Sequence, residues 1–305
     1  MKSFYRKMKN LIVYGKTAVE NNLKVRFLTE LGIYDKALMN AELDQNWKLR
    51  IEEVIACPEN KLIQRVSDAG ALKNGKQLMH NGIKILAGGY YGSGITQMLI
   101  KNKGVHEPQE EYVFDLVLKT IPIGATMLEL GSYWAFYSIW FQKVIPSAKN
   151  YMVEPALENM NYGINNFRIN DVKGDFTNAF VGRESKMENG YKTICVDDFI
   201  EQKKIDFIHI LHSDIQGFEL DMLKGSHKAI EQRKIGYIFI STHGNPVHKK
   251  CIEFLEANGF EILCEADMNA SYSYDGLVVA RAKHFPGLSK IGISKNSGYS
   301  YEKIF

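Results

Sequence analysis

Cysteine is scarce. The chain has four in 305 residues (Cys57, Cys195, Cys251 and Cys264), with no C-x-x-C pair. That excludes a disulfide framework and a cysteine-built zinc site. Three of the four lie in apolar runs, as buried thiols of a reducing compartment do. Neither charge sign dominates: 38 Lys and Arg against 35 Asp and Glu leave a net charge of +3, so there is no electrostatic case for a nucleic-acid partner. Long hydrophobic runs are missing too. The most apolar window, about residues 126 to 145, is interrupted by Glu129 and Gly131, too broken to span a bilayer. Charges throughout the first thirty positions leave no apolar core for a signal peptide. Internal repeats and low-complexity tracts are absent. What remains is the composition of a soluble, cytoplasmic globular protein, 45% hydrophobic and 24% charged.

The chain is organised around Met127-Leu-Glu-Leu-Gly-Ser-Tyr-Trp-Ala135. An apolar run from Ala125 to Leu130 carries one acid, Glu129, breaks at Gly131, and resumes with helical spacing at Tyr137, Ile139, Trp140 and Val144. This reads as a buried strand, a glycine turn and a helix whose N-terminus offers free N–H groups to a ligand. Twenty-three residues beyond Gly131, the apolar segment Tyr151–Val153 ends in Glu154 and Pro155. An acid at the tip of a second strand is where an α/β sheet grips ribose hydroxyls. Either feature alone also suits an α/β protein with no ligand.

Around this centre, three regions are expected: a helical accessory segment at 1–77, an α/β domain at 78–285 and a surface tail at 286–305. In the first, Leu23, Phe27 and Leu31, then Tyr34 and Leu38, then Leu49, Ile51 and Ile55 have helical spacing. Gly32 separates helices and Cys57-Pro58 stops the last. The basic start (Lys2, Arg6, Lys7, Lys9) reads as a solvated face, and the helices as a cap or homo-oligomer contact. Residues 80–96 carry a short strand, Ile83 to Leu86, followed by glycines among Tyr90 and Tyr91. They suit either a loop that closes over a ligand or a hairpin turn. In His106-Glu-Pro-Gln-Glu-Glu111, Pro108 and the acids suit a helix N-terminus, and His106 is left as a site candidate.

Downstream, strand and helix alternate. Strands are expected at 176–181, 206–212, 236–240, 260–263 and 276–280, and helices at 157–167, 219–233 and 247–258. Near-continuously apolar strands in βαβα order predict a parallel sheet covered on both faces, with ligands outside the strands' carboxyl ends. The polar residues at those ends are Glu129, Gly131, Glu154, His212, Asp214 and His243, with His248 a weaker addition. Each has a bland alternative: Glu154 and Asp214 as helix caps, the histidines as satisfied core residues. Together they suit a general base for a hydroxyl, or ligands of a divalent cation such as Mg that lowers the hydroxyl's pKa.

These residues carry a resemblance. Glu129-Leu-Gly131, Glu154-Pro155, Val196-Asp-Asp-Phe199, Ile205-Asp206, Asp214-Ile-Gln-Gly217-Phe-Glu219 and Leu223-Lys-Gly225 resemble the successive motifs of FkbM-type S-adenosylmethionine-dependent methyltransferases. Gly88 to Gly92, His106 to Gln109, Ser241-Thr-His243, His248 to Cys251 and Asp275 to Val278 resemble a subgroup of that family. The match spans roughly residues 78 to 282.

The resemblance implies a Rossmann-like class I methyltransferase sheet of seven strands, the last antiparallel. It implies S-adenosyl-L-methionine contacts at Glu129, Gly131, Tyr133, Glu154 and Pro155, and an acceptor site at Asp214. Two departures stand out. The commoner pattern has a lysine two residues before the aspartate and an acid two after it, where this chain has His212 and Gln216. That favours a histidine or metal-assisted version, with Asp214, His243 and His212 catalytic and Asp214 and His243 as the metal ligands. Tyr90, Tyr91 and His106 would line the acceptor or lid side. The acceptor implied is a small molecule or glycan hydroxyl. Methylation of an amide or peptide side chain, an NAD-dependent oxidoreductase and a non-catalytic binding protein stay open as alternatives. Tyr133 and Phe136, which stand where a dinucleotide fold needs glycines, oppose the second of these.

Overall fold

The computed structural model describes residues 32–297. The helix expected on Leu23, Phe27 and Leu31, and the basic start, lie outside the described residues. Next in the chain come helices Ile33–Asn40 and Gln45–Ala56. The second is capped by Asp44, whose side chain accepts from Trp47 N at 2.9 Å, and it stops at Cys57-Pro58. Strands β1 (Leu72–Lys73), β2 (Lys76–Leu78) and β3 (Lys84–Leu86) form a small antiparallel sheet. Strand β2 therefore lies across the division expected between residues 77 and 78.

The main sheet contains β4 (Thr126–Leu130), β5 (Lys149–Val153), β6 (Asp175–Thr177), β10 (Ile208–Ser213), β11 (Ile235–Thr242), β12 (Phe260–Ala266) and β13 (Gly276–Ala282). A second small sheet, β7 (Phe180–Val181), β8 (Lys186–Glu188) and β9 (Tyr191–Ile194), stands apart from it. The order in the main sheet is β12-β13-β11-β10-β4-β5-β6. β4, β5, β6, β10 and β11 are mutually parallel, and β13 runs antiparallel to both its neighbours. The parallel sheet with an antiparallel last strand is the architecture expected.

Why the strands are apolar throughout is visible in β4 and β11, where every residue is buried. Alternate side chains serve opposite faces. Met127, Tyr237 and Phe239 pack on one side with Phe114, Phe136 and Trp140. Leu128, Leu130, Ile238 and Ile240 pack on the other with Phe199, Leu211 and Leu255. Each such large side chain contributes about 1.5–3 kcal/mol over leaving it exposed.

Three local expectations needed correction. The apolar run at 176–181 splits between β6 and β7, which belong to different sheets. The helix expected at 219–233 is two, Glu219–Lys224 and His227–Glu231. Gly225, at the break, lies so close to the Gly182 carbonyl that a Cβ would come within 2.6 Å, and the Asp197 carboxylate accepts from Lys228 N and Ala229 N to begin the second helix. Finally, Gly92 and Gly94 belong to helix Gly92–Lys101, so the glycine loop is shorter than expected. Helix Pro108–Leu118 starts at its proline, and the Glu111 carboxylate accepts from the backbone N–H of His106 and Glu107 at 2.9 and 3.1 Å. That is the capping role expected of this acid cluster.

Residues 286–297 lie along the domain. Leu288, Ile291 and Ile293 pack on the core, Ile291 N donates to Leu263 O, and Ser294 N donates to Glu59 Oε1. No helix among the described residues is long and apolar enough to cross a membrane.

Candidate functional site

The parallel strands β4, β5, β10 and β11 stop at one end of the sheet, and their tips are drawn together by backbone contact. Gly131, just past β4, adopts φ +75°, and a Cβ there would lie 1.8 Å from the Asp214 carbonyl oxygen. Only glycine lets the β4 and β10 tips meet. Gly131 N and Ser132 N both donate to Val153 O, which brings in β5. The glycine of the central turn thus serves strand convergence directly.

The turn that follows is strained. Tyr133 has φ 37° and Ala135 φ 58°, a left-handed conformation that a bulky residue rarely adopts. Glu154 holds it: Oε2 accepts from Tyr133 N at 3.1 Å, and Oε1 accepts from Ala156 N at 2.9 Å. Burial pushes the Glu154 carboxyl up to about 7 in spite of these N–H groups. Pro155 lies beside it, the Asn178 amide donating to the carbonyls of both Glu154 and Pro155.

A small cavity lies between these tips. Glu129, Gly131, Ser132, Tyr133, Trp134, His212, Asp214 and Ser241 line it, with Tyr90, His106, Glu107 and Tyr137. The Tyr90 ring stacks on Trp134 with centroids 4.2 Å apart and planes 9° from parallel, and meets Tyr133 edge-on at 4.8 Å. Tyr91 lies against both tyrosines and is 47% exposed. Tyr90 of this pair lines the cavity, and Tyr91 lies outside it.

Histidines and carboxylates pair at the cavity wall and behind it. His243 is 3% exposed at its side chain; its Nδ1 is 2.7 Å from Glu219, and its Nε2 lies 3.2 Å from Asp214 and 3.3 Å from Asp275. Burial opposes its charge, but the hydrogen bonds to Asp214 and Glu219 and the charge of Asp275 push it up to about 11. In return, Asp214 is held below the usual carboxylate range despite its burial. Burial pushes Asp275 up to about 7. On the next strand, His212 Nε2 lies 2.7 Å from Glu110. Burial lowers its pKa, but Glu110 raises it further, to about 8. Buried Glu129 accepts from Ser138 N at 3.2 Å and is pushed up to about 7. His106 sits between Glu107 (3.0 Å) and Glu111 (2.6 Å), which outweigh burial and hold it protonated to about 10.

The structure thus brings Glu129, Gly131, Tyr133, Glu154, His212, Asp214 and His243 to one end of the sheet, with Tyr90, Tyr91 and His106 over it. His248 lies apart from the cavity lining, bonded to Thr242 and Glu265. Glu110, Glu219 and Asp275 went unrecognised as histidine partners. The signal for Asp275 was available: an antiparallel last strand beside β11 pairs Gly276 with Thr242 and so puts Asp275 next to His243.

A divalent cation at Asp214 and His243 finds no support in the arrangement of donors. Among the described residues, no group of three or more His, Cys, Asp or Glu could hold a metal ion.

Residues 122–262 match the family profile of the methyltransferase FkbM domain. No curated protein matches the chain. Among solved structures, it is similar to precorrin-6y C5,15-methyltransferase from Geobacter metallireducens GS-15, at 13% identity over 56% of this chain and 87% of that one, TM-score 0.39. It is also similar to the ribosomal protein L11 methylase of Lactobacillus delbrueckii subsp. bulgaricus, at 13% identity over 59% of this chain and 81% of that one, TM-score 0.41. TrmK of M. capricolum in complex with S-adenosyl-homocysteine matches at 14% identity over 57% of this chain and 69% of that one, TM-score 0.38. β4 to β12 carry the matched segment, with the strand-end site within or beside it, so this part of the chain is similar to the FkbM methyltransferase domain.

Proposed function

We propose that this methyltransferase uses S-adenosylmethionine to methylate a hydroxyl of a sugar, glycan or small natural product, with Asp214 receiving the acceptor's proton. The observation that carries the reading is the meeting of Glu129, Ser132, Tyr133 and Asp214 around one cavity, beside a buried carboxylate, Glu154, at the next strand tip. Fold alone would not support it; the site does.

The residues fit that cofactor. Ser132 Oγ and His212 Nδ1 are buried, belong to the cavity lining and have no hydrogen-bond partner among the described residues, so polar ligand atoms would satisfy them. Glu154 would hold ribose hydroxyls, and Glu129 would face a positively charged group. Tyr90 and Tyr133 fill the space, so the loop at 87–91 must swing outward for entry and back to exclude water.

S-adenosylmethionine, when bound, supplies a methyl group activated by a positively charged sulfur. The chain's part is to align the acceptor, keep water out and receive a proton. An alcohol proton becomes strongly acidic once its oxygen gains a second carbon, so a carboxylate of low pKa is base enough. Asp214 meets that need. His243, already protonated, fixes the Asp214 carboxylate in place, and His212 does the same for Glu110.

Calorimetric titration of the full chain with S-adenosylmethionine, S-adenosylhomocysteine and NAD tests the cofactor. Binding of NAD alone would end this reading. Asp214→Asn should bind S-adenosylhomocysteine normally yet transfer no methyl to hydroxyl acceptors, as followed by mass spectrometry. Transfer to an amide only would move the assignment to nitrogen.

A further inference from the structure

Arg50 lies on helix Gln45–Ala56, outside the segment that matches the family. Its guanidinium carbon is 4.9 Å from the ring centroid of Trp47 and 4.9 Å from that of Tyr274. Neither ring is loosely placed. Trp47 packs over Gly94, where a Cβ would come within 2.4 Å of the indole, and Tyr274 directly precedes Asp275, which touches His243. The guanidinium is therefore held between two aromatic faces, one of them next in sequence to the Asp275 that touches His243.

Among the described residues the arginine has no anionic partner. Its Nε is buried with no hydrogen-bond partner among the described residues, and no described carboxylate forms an ion pair with it. Its charge reaches the cavity all the same: it lowers the pKa values of Tyr90, Tyr91 and Asp275 against the burial that raises them. A partly desolvated arginine without a counter-charge is costly. One stacked on aromatic rings presents a planar fork of donors already oriented, the geometry that grips a carboxylate or phosphate through two parallel bonds. A counter-ion role toward Asp275 is the simpler alternative, but Asp275 already has His243 at 3.3 Å.

We propose that Arg50 recognises an anionic oxygen group, phosphate or carboxylate, on the methyl acceptor, which makes the acceptor a phosphorylated or acidic molecule. This rests on the methyltransferase reading for the word acceptor; the anion site itself does not. Trp47, Arg50 and Tyr274 would form the specificity wall, and the accessory helix would be part of the active site.

The test uses the whole chain and four probes: inorganic phosphate, glucose 1-phosphate, glucuronate and methyl glucoside. Binding is followed by ligand-observed NMR in wild type, Arg50→Gln and Arg50→Lys. The expected result is that the phosphate probes or the glucuronate bind wild type, which identifies the anion. Arg50→Gln should weaken that binding by about tenfold or more, and Arg50→Lys by less, since it keeps the charge and loses the fork. Methyl glucoside should be indifferent to both changes. Absence of anion binding to wild type, or binding equal in wild type and Arg50→Gln, overturns the proposal; the second outcome is what a counter-ion role toward Asp275 would produce. Titration with S-adenosylhomocysteine runs in parallel. Its failure in wild type would sink the methyltransferase reading while the anion arms still report on Arg50, and its retention in the variants shows that they are folded.

Discussion

His243→Gln removes the cation at the centre of three carboxylates while keeping much of the side chain's length. In the native chain the imidazole is 2.7 Å from Glu219, 3.2 Å from Asp214 and 3.3 Å from Asp275, and nearly all of it is buried. Deleting one partner of a buried ionic cluster leaves the others uncompensated and typically costs about 3–5 kcal/mol. For a domain of this size that corresponds to a melting temperature lower by on the order of 10 °C. The pH dependence has a definite sign. The His243 pKa rises from 6.5 to about 11 on folding. Its stabilisation is therefore fully present below the unfolded value and is lost as pH rises through the folded one. The deficit of His243→Gln should be largest near pH ~6 and narrow steadily toward pH ~10. Urea denaturation of both proteins across that range measures it. A deficit under about 1 kcal/mol, or one that does not change with pH, would show that His243 is not the cation of this cluster.

Three other substitutions probe the strand tips. Glu154→Gln should weaken S-adenosylhomocysteine binding by about 1–3 kcal/mol in calorimetry. Wild-type affinity should fall as pH drops through about 7, where the Glu154 carboxyl takes up its proton. Asp214→Asn should hold cofactor affinity within about twofold while abolishing turnover, the signature of a group that acts on the acceptor. Gly131→Ala should destabilise the chain by about 3 kcal/mol or more, because its Cβ would lie 1.8 Å from the Asp214 carbonyl in a left-handed backbone. A near-wild-type melt would show that the two strand tips can separate freely.

Much of the sheet was readable because burial on both faces writes itself as uninterrupted apolar runs, as in Ile208–Ser213 and Ile235–Thr242. The rule that ligands sit outside the carboxyl ends of parallel strands is what groups Glu129, Glu154, Asp214 and His243 from sequence. Pairings between distant side chains were not readable. Glu110 lies 102 positions from His212, and its acidity is equally well explained by the helix start beside it. Element breaks set by packing were hidden too: nothing local says that Gly225 must fit against Gly182, or that Gly94 must make room for Trp47. Arg50 had no signal at all, since its meaning comes from a tyrosine more than two hundred residues away.

The helix bearing Arg50 is clasped from behind. Asn296 Nδ2 donates to the buried Glu53 carboxylate at 2.8 Å, Ser294 N donates to Glu59, and the Gln109 side chain donates to Ser294 O at 2.7 Å. During synthesis, a nascent polypeptide that had emerged only as far as residue 285 would have the Asn296 and Ser294 donors to these two glutamates still inside the ribosome. The helix proposed to hold an anion, though it precedes the sheet in the chain, would then be among the last parts to be secured.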